Sequence, residues 1–326
     1  MEELAKVLPA DLLPSVQELF DEFSLAGMKS AGVEVQEVKG YRLTPGVTTD
    51  ALQYAYDEWS FREGDVLLGS FPKTGTNWTL DIIRRLLYDE SSYNLCKNLP
   101  LSTLILEAGS PLKFSVLDKL PLKRRLMGTH LPAELLNLKK LKESKAKLIY
   151  VYRNPKDQLV SWFHFIQKIP HLVNHPLGHM INQGFNNFFE HALKGDLPIG
   201  TKPGEGYANH LFSFYEHKND GNVLLLCFED LKKDFRGQVE QVAKFLDIEI
   251  TNDRILEVEK LCSFQTMKEN IDTNKNQQLQ EFQTANMRKG DVGSWEEVLT
   301  DEQSKLVDEK FNQVLNGTDV KFVYSL

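Results

Sequence analysis

Apolar residues along the chain fall into two patterns that alternate. Some form short, almost unbroken runs, which are typical of strands buried on both faces of a sheet. These runs lie at residues 65–71, 147–152 and 222–228. Each is followed by a segment in which apolar residues recur every three or four positions, which predicts a helix. These helical segments lie at residues 78–88, 156 to about 169, and 231–246.

Strands that alternate with helices predict an α/β fold with a central parallel sheet flanked by helices. No repeat or low-complexity linker interrupts the pattern, so we expect residues 40–326 to form a single domain. Residues 1–39 are expected to form an amphipathic extension, whose helix packs on this chain or on a partner. One face of that helix carries Leu8, Leu12, Leu13, Val16 and Leu19. The aperiodic segment 170–205 is expected to form loops and short helices that wall a binding site.

Composition and charge narrow the class of protein. The chain has 326 residues, of which 38 are basic and 46 acidic, and a net charge of −8 argues against a general nucleic-acid binder. No apolar run approaches the roughly 18 residues of a membrane helix. Acidic residues scattered through positions 1–23 argue against a targeting peptide, and the three cysteines form no C-x-x-C pair. We therefore expect a cytoplasmic protein without a membrane or nucleic-acid partner.

The sharpest local signal is the segment Phe71-Pro72-Lys73-Thr74-Gly75-Thr76-Asn77-Trp78, between a predicted strand and a predicted helix. Unpaired N–H groups at a helix N-terminus lie at the positive end of the helix dipole and bind phosphate. Gly75 permits a close approach, two threonines add hydroxyls and Lys73 adds a charge. The segment is not a Walker A loop, in which the lysine follows the second glycine. A threonine-capped turn without a ligand is the alternative interpretation.

Further motifs follow this loop, and together they resemble those of the cytosolic sulfotransferases. They are Thr129-His130-Leu131-Pro132, Arg153-Asn154-Pro155-Lys156-Asp157, Ser161-Trp162-Phe163-His164-Phe165, Phe228-Glu229-Asp230-Leu231, Ser263-Phe264 with Met267, and Arg288-Lys289-Gly290 with Gly293 and Trp295. The resemblance extends from about residue 40 to about residue 310. It implies a nucleotide-kinase-like P-loop fold. It also implies transfer of a sulfuryl group from 3′-phosphoadenosine 5′-phosphosulfate (PAPS) to a small molecule, without a metal.

The resemblance also implies roles for individual residues. It makes His130 the general base that deprotonates the acceptor, and Lys73 the cation that stabilises the leaving phosphate. Arginine suits a phosphate because its planar guanidinium is permanently charged. The residues implied to bind the nucleotide are Lys73, Thr74, Gly75, Thr76, Asn77 and Trp78 in the loop, Arg153, Ser161, Arg288, Lys289 and Gly290 at the 3′-phosphate, and Phe228, Phe264 and Met267, with Trp78 and Phe264 stacking on adenine.

Three positions near the implied site depart from the family pattern. Gly128 stands where many members have a lysine, which removes one cation from the sulfuryl group. Phe228 replaces a common tyrosine, so one hydroxyl contact to the nucleotide is lost. Cys262 replaces a common threonine next to the adenine position.

The segment that pairs two subunits in many relatives is altered as well. Here it carries Glu296, Asp301 and Lys305, with the charges exchanged and Asp301 in place of a central apolar residue. Two copies of Asp301 would approach each other across a two-fold axis, which is unfavourable. We therefore expect a monomer, or a dimer that uses another surface.

The only sequence evidence on the acceptor is a set of aromatic residues that are candidates to line its pocket. Aromatic residues there favour a flat or apolar molecule with a hydroxyl or amine. The candidates are Phe71, Phe163, Phe165, Phe185, Phe188 and Phe189. Two other functions stay open. A kinase-like phosphotransferase would need a Walker lysine and magnesium ligands, which we do not find. A non-catalytic nucleotide sensor or scaffold is compatible with Gly128.

The histidines between residues 170 and 180 have a spacing that imitates a metal site. His171, His175 and His179 recur every four positions. Pro176 and Gly178 would break a helix there. We therefore expect a loop without a metal.

Overall fold

The computed structural model describes residues 2–22, 35–43, 47–168, 178, 183–272 and 277–326. Within these ranges, β1 (Glu37–Val38) and β2 (Tyr41–Arg42) form a small antiparallel pair. A separate sheet contains four parallel strands in the described part of the chain. They are β3 (Val66–Ser70), β4 (Leu126–Thr129), β5 (Lys147–Tyr152) and β6 (Val223–Cys227). The order β4-β3-β5-β6 confirms the predicted α/β fold with a parallel sheet.

Helices connect the strands of this sheet and continue beyond its last strand. They span Glu2–Ala5, Leu13–Glu22, Thr49–Asp57, Thr76–Leu87, Glu90–Asn98, Leu112–Lys119, Leu138–Glu143, Pro155–Ile166, Phe185–Lys194, Tyr207–Tyr215, Phe228–Lys233, Phe235–Phe245, Asn252–Leu261, Phe264–Asp272, Gln277–Asn286 and Asp301–Leu315. Short 3-10 turns lie at Ala10–Leu12, Leu101–Leu104, Ala133–Leu135 and Ser294–Glu297. None of the described helices is both long and apolar enough to cross a membrane.

The register of the strands brings their carboxyl ends to one edge of the sheet. Gly69 in β3 pairs with Thr129 in β4 and with Tyr150 in β5, and Tyr152 pairs with Cys227 in β6. The residues that follow these four strands therefore meet at the same edge, where ligands bind in open α/β sheets. Those residues are Phe71, His130, Arg153 and Phe228.

One predicted helix is wrong in its extent. The segment 231–246 is divided between the helices Phe228–Lys233 and Phe235–Phe245. Asp234 breaks it, because its carboxylate accepts a hydrogen bond from the N–H of Gly237 at 3.1 Å and caps the second helix. An aspartate that bonds to nearby backbone competes with helix continuation.

The N-terminal residues pack on this chain. Leu4, Leu8, Leu12, Val16 and Leu19 are buried in the same hydrophobic core as the central sheet. The helix Leu13–Glu22 also contacts the helix Leu112–Lys119, and Ser110 Oγ donates to Glu22 Oε1 at 2.7 Å. The division between an extension at 1–39 and a domain at 40–326 stays a prediction.

Candidate active site

The loop between β3 and the helix Thr76–Leu87 has a backbone that only certain residues can adopt. Gly75 is the N-cap of that helix, with φ 108°. A Cβ atom at Gly75 would lie 2.5 Å from Cδ2 of Phe228, so no larger residue fits. Lys73 also has a positive φ, 71°, which is uncommon for a residue with a side chain. The loop therefore stores local strain at the position of its cation.

The two threonines of this loop point to different places. Thr74 is fully buried, and its hydroxyl lies 2.8 Å from the carbonyl oxygen of Phe71 and 3.1 Å from that of Val151. The Thr74 side chain thus braces the loop against β5 instead of facing a ligand. Thr76 Oγ1 lies 2.8 Å from Ser70 Oγ at the end of β3.

His130 follows β4 and is held by its ring and by its backbone. Its Nδ1 lies 2.7 Å from the carbonyl oxygen of Ser70, which can only accept a hydrogen bond. In the neutral ring Nδ1 therefore carries the proton, and Nε2 is the unprotonated nitrogen. The backbone N–H of His130 donates to Oε1 of the buried Glu107 at 2.7 Å, and Thr129 Oγ1 donates to Oε2 at 2.8 Å.

Lys73 lies among other cations. Its Nζ donates to Oδ1 of Asn286 at 2.9 Å and lies 4.3 Å from the centre of the Phe165 ring. Burial, together with repulsion from Arg153, Lys168 and Arg288, lowers the pKa of Lys73 to about 7. Arg153 is buried, Lys73 and Arg288 are half-buried and Lys168 is exposed, so the cluster is open to solvent on one side. Positive charges gathered in such a partly buried place favour an anionic ligand.

Arg153 follows β5 and is almost fully buried. One of its terminal nitrogens donates to the carbonyl oxygen of Asp291 at 2.8 Å. Its nearest carboxylate oxygens, on Asp157 and Glu229, lie at 3.7 and 3.9 Å. Among the described residues, Arg153 Nε has no hydrogen-bond partner. Burial lowers the pKa of this guanidinium. Attraction to Asp157 and Glu229 opposes that effect, and a smaller repulsion from Arg288 adds to it. A buried, unsatisfied guanidinium nitrogen beside Lys73 fits a phosphate oxygen.

Asp157 fastens the segment that carries Arg288. Its carboxylate accepts hydrogen bonds from the backbone N–H groups of Gly293 at 2.8 Å and Trp295 at 3.0 Å. Asp157 therefore ties the segment that follows Arg288 to the helix that follows Arg153. Lys289 is exposed and donates to Oε2 of Glu297 at 2.6 Å, and its assignment to the 3′-phosphate stays a prediction.

Aromatic rings surround the phosphate loop. The Arg153 guanidinium lies 4.6 Å from the centre of the Phe228 ring, and the centres of Trp78 and Phe228 are 5.4 Å apart. Trp78 Nε1 donates to the carbonyl oxygen of Cys262 at 2.9 Å. Phe264 and Met267 lie in the first turn of the next helix, both half-buried.

For two other residues predicted to bind the nucleotide, Asn77 and Ser161, the structure gives only their helix and their exposure. Asn77 is exposed in the first turn of its helix. Ser161 is half-buried in the helix Pro155–Ile166. Their assignments stay predictions.

Only some of the phenylalanines predicted to line the acceptor site are exposed enough to contact an acceptor. Phe71 and Phe188 are 1% and 0% exposed and belong to the core, where Phe71 stacks on Tyr207 with ring centres 4.9 Å apart. Phe189 is buried as well. Of the predicted set, Phe165 and Phe185 retain partial exposure.

The space beside Gly128 is occupied by apolar side chains. A Cβ atom on Gly128 would lie 3.1 Å from Cδ1 of Ile105 and 3.6 Å from Cδ1 of Leu80. The position of the common family lysine is therefore next to aliphatic groups of this chain.

Sequence reasoning missed three residues that hold His130. These are Ser70, Glu107 and His210, whose Nε2 lies 3.0 Å from the carbonyl oxygen of His130. Glu107 and His210 are 23 and 80 residues from His130 along the chain, and neither lies in a recognised motif. Their only sequence signal is a charged or titratable residue among apolar neighbours.

No group of three or more metal-ligating side chains occurs within the described residues. His171, His175 and His179 lie outside those residues.

Comparison with known proteins gives a consistent result. The family model of the sulfotransferase domain matches residues 63–319. An amine sulfotransferase from Oryctolagus cuniculus is 31% identical over 290 residues, covering 83% of this chain and 87% of the relative. Sulfotransferase 6B1 from Mus musculus is 30% identical over 271 residues, covering 82% of this chain and 81% of the relative.

Solved structures agree with these relatives. The crystal structure of a mouse sulfotransferase complexed with PAP superposes with a TM-score of 0.70 at 29% identity, covering 87% of this chain and 95% of that one. A retinol dehydratase in complex with retinol and PAP, 20% identical with a TM-score of 0.68, covers 91% of this chain and 96% of that one and shares the fold.

Proposed function

The chain belongs to the sulfotransferase family, and we propose that it transfers the sulfuryl group of PAPS to a hydroxyl or amine of a small acceptor, with His130 as general base. The observation that carries this proposal is the contact of His130 Nδ1 with the carbonyl oxygen of Ser70 at 2.7 Å. It leaves Nε2 as the unprotonated nitrogen, which is the state a base requires.

The proposed reaction is an in-line displacement at sulfur. The acceptor oxygen or nitrogen forms a bond to sulfur while His130 Nε2 takes its proton. The bond between sulfur and the bridging oxygen breaks, and its electron pair leaves with the 5′-phosphate of PAP. In this proposal Lys73 neutralises the charge that develops on that oxygen.

The donor assignment is supported by the cation cluster. Lys73 and Arg288, both half-buried, and the buried Arg153 repel one another, and Arg153 Nε lacks a partner among the described residues. An anion with two separated phosphate groups offsets both costs. In this proposal Arg153, Ser161 and the Arg288–Gly290 segment hold the 3′-phosphate, and Trp78 and Phe264 face the adenine.

The acceptor is proposed to be aromatic or apolar. The Phe165 ring lies directly beside Lys73, and aliphatic Ile105 and Leu80 flank Gly128. Apolar surroundings of this kind favour a neutral acceptor over a highly charged one. We also propose a cytoplasmic location and a monomeric state, or a dimer that avoids residues 296–305.

The test compares His130→Ala with His217→Ala, a control in which the lost histidine lies before β6, at the opposite edge of the sheet. Turnover is followed with radiolabelled PAPS and a panel of acceptors that begins with 4-nitrophenol. His130→Ala should lose about 10²–10⁴-fold in turnover and keep its affinity for PAP. His217→Ala should keep both. Equal turnover in the two variants would remove His130 from the mechanism.

A non-catalytic nucleotide sensor is the second candidate. It predicts PAP binding with no turnover on any acceptor of the panel. The same experiment separates it from the enzyme, because binding and turnover are measured on one preparation.

A further inference from the structure

His210 is a second histidine buried directly behind the proposed base. It lies in the helix Tyr207–Tyr215, is 1% exposed, and its Nε2 lies 3.0 Å from the carbonyl oxygen of His130. A carbonyl oxygen only accepts, so Nε2 of His210 carries the proton. In the neutral ring Nδ1 is then an acceptor, and the hydroxyl of Tyr150 donates to it at 2.8 Å.

The surroundings of His210 fix both its ring and its charge state. Burial lowers the pKa of His210 to about 3, so the ring is neutral at any pH near 7. The rings of Phe71, Tyr150 and Phe214 lie around it, with centres 5.3, 5.6 and 5.5 Å away. A neutral and immobile ring exchanges no proton with a substrate, but it defines the position of a hydrogen-bond donor.

The carbonyl that accepts the hydrogen bond from His210 belongs to His130, and the proposed base must be correctly oriented to act. The ring of His130 is held by Ser70, and its N–H by Glu107. The carbonyl lies just beyond the last residue of β4, so it has no ladder partner at that edge. His210, in the helix Tyr207–Tyr215, donates a hydrogen bond to this carbonyl instead.

We propose that His210 is a positioning residue, which fixes the backbone of His130 by donating from Nε2 to the His130 carbonyl and thereby aims the lone pair of the base at the acceptor. The inference rests on the proposed role of His130. His210 touches neither substrate, so it acts only through His130.

Two amide variants separate this role from simple core packing. In His210→Gln the side-chain N–H₂ takes the place of Nε2 and reaches the His130 carbonyl. In His210→Asn the amide takes the place of Nδ1, stays next to Tyr150 and falls short of His130. The two variants bury the same chemical group and differ in which partner it reaches.

We expect His210→Asn to lower single-turnover rates by on the order of 10–10²-fold, because a small misplacement of a catalytic group has an effect of that size. His210→Gln should recover most of that loss. The affinity for PAP should be the same in both. Introduced into His130→Ala, the two amides should give equal rates, because the residue through which His210 acts is gone.

If His210→Asn and His210→Gln lower the single-turnover rate equally in the presence of His130, the proposal is overturned. It is also overturned if His210→Asn lowers the rate as much in the His130→Ala background as it does when His130 is present. Unchanged turnover in His130→Ala alone would instead overturn the proposed function. Should the amide variants fail to fold, Tyr150→Phe replaces them, since it removes the partner that orients His210. A lowered rate with unchanged PAP affinity then supports positioning, and an unchanged rate overturns it.

Discussion

Gly290 lies against Phe264 so closely that a Cβ atom on Gly290 would come within 2.6 Å of the ring carbon Cδ2. Its φ of 72° is in the left-handed region that favours glycine. The pair therefore fixes the distance between the basic residues Arg288 and Lys289 and the aromatic ring proposed to face the adenine. Two predicted nucleotide motifs, 24 residues apart when counted from Phe264 to Arg288, meet at this contact.

Gly290→Ala should weaken PAP binding. The new methyl group must displace Phe264 or the Arg288 backbone, and overpacking of this kind costs about 1–3 kcal/mol. We expect the dissociation constant for PAP to rise about tenfold or more, measured by calorimetry. Gly317→Ala is the matched control, because Gly317 also has a positive φ, 82°, and a Cβ atom there meets no atom within 4 Å. Identical PAP affinities in the two variants would show that the Gly290–Phe264 contact does not shape the nucleotide site.

PAP binding should take up a proton at mildly alkaline pH. In the free protein burial and the neighbouring cations lower the pKa of Lys73 to about 7, so most of its side chain is the neutral amine at pH 8. An adjacent phosphate favours the charged form and raises this pKa again, while the phosphates of PAP are already ionised. Proton uptake should therefore approach one per site at pH 8, and affinity should fall as the pH rises above 7. Calorimetry in buffers of different ionisation enthalpy measures the uptake.

Lys73→Arg is the control for this titration, because a guanidinium stays protonated throughout. Burial also lowers the pKa of His164, but from its ordinary 6.5, so that histidine contributes below pH 6.5. Burial lowers the pKa of Lys113 to about 7 as well, but both proteins contain Lys113 and its contribution cancels. The same uptake in Lys73→Arg would assign the proton to another group.

The sequence was sufficient for the parallel sheet and for the turn at Gly75 that begins a helix, because both depend on local patterns. The run 147–152 is the strand β5 itself, and the loop at Gly75 caps the helix that its sequence predicts. β4 was not predicted, since four residues with a glycine among them carry almost no periodicity. The break at Asp234 depends on one side chain bonding to nearby backbone, which a hydrophobic pattern does not contain.

The residues that hold the backbone of His130 could not be predicted from the sequence, for a different reason. Glu107 and His210 reach His130 only because β4, the segment before it and the helix Tyr207–Tyr215 converge in three dimensions. Thr74 shows the reverse case. It was expected to bind phosphate as part of the loop motif, but its hydroxyl contacts the carbonyl oxygens of Phe71 and Val151. A motif identifies residues without giving the direction of each side chain.

Restoring a lysine at Gly128 should raise turnover only when space is made for it. The Cβ atom of Gly128→Lys would lie 3.1 Å from Cδ1 of Ile105, so the single variant should lose thermal stability. The double variant Gly128→Lys with Ile105→Ala removes that crowding. We expect it to increase turnover relative to Ile105→Ala, because a second cation stabilises the charge that develops in the transition state.

Steady-state kinetics of the double variant against Ile105→Ala alone measure this effect. A rise in kcat that exceeds the change in acceptor KM supports the electrostatic role. The opposite pattern, a raised KM with unchanged kcat, would mean that Gly128 serves to accommodate the acceptor.

The protein should not form a dimer through residues 296–305. In the structure Thr300 caps the helix Asp301–Leu315, and its hydroxyl accepts from the N–H of Gln303 at 3.2 Å. Asp301 is exposed in the first turn of that helix, where its carboxylate is stabilised by the helix dipole and by water. A two-fold contact centred there would remove that water and bring two carboxylates together.

Light scattering at micromolar concentration should therefore give the mass of a monomer, or of a dimer that does not crosslink through this segment. Asp301→Val removes the charge and restores an apolar residue, so it should favour association if the segment is otherwise complementary. Asp50→Val is the control, since Asp50 is an exposed acidic residue in the first turn of another helix, Thr49–Asp57. A stable dimer of the unmodified protein crosslinked within residues 296–305 would contradict the prediction, because the charge of Asp301 would then be compatible with the interface.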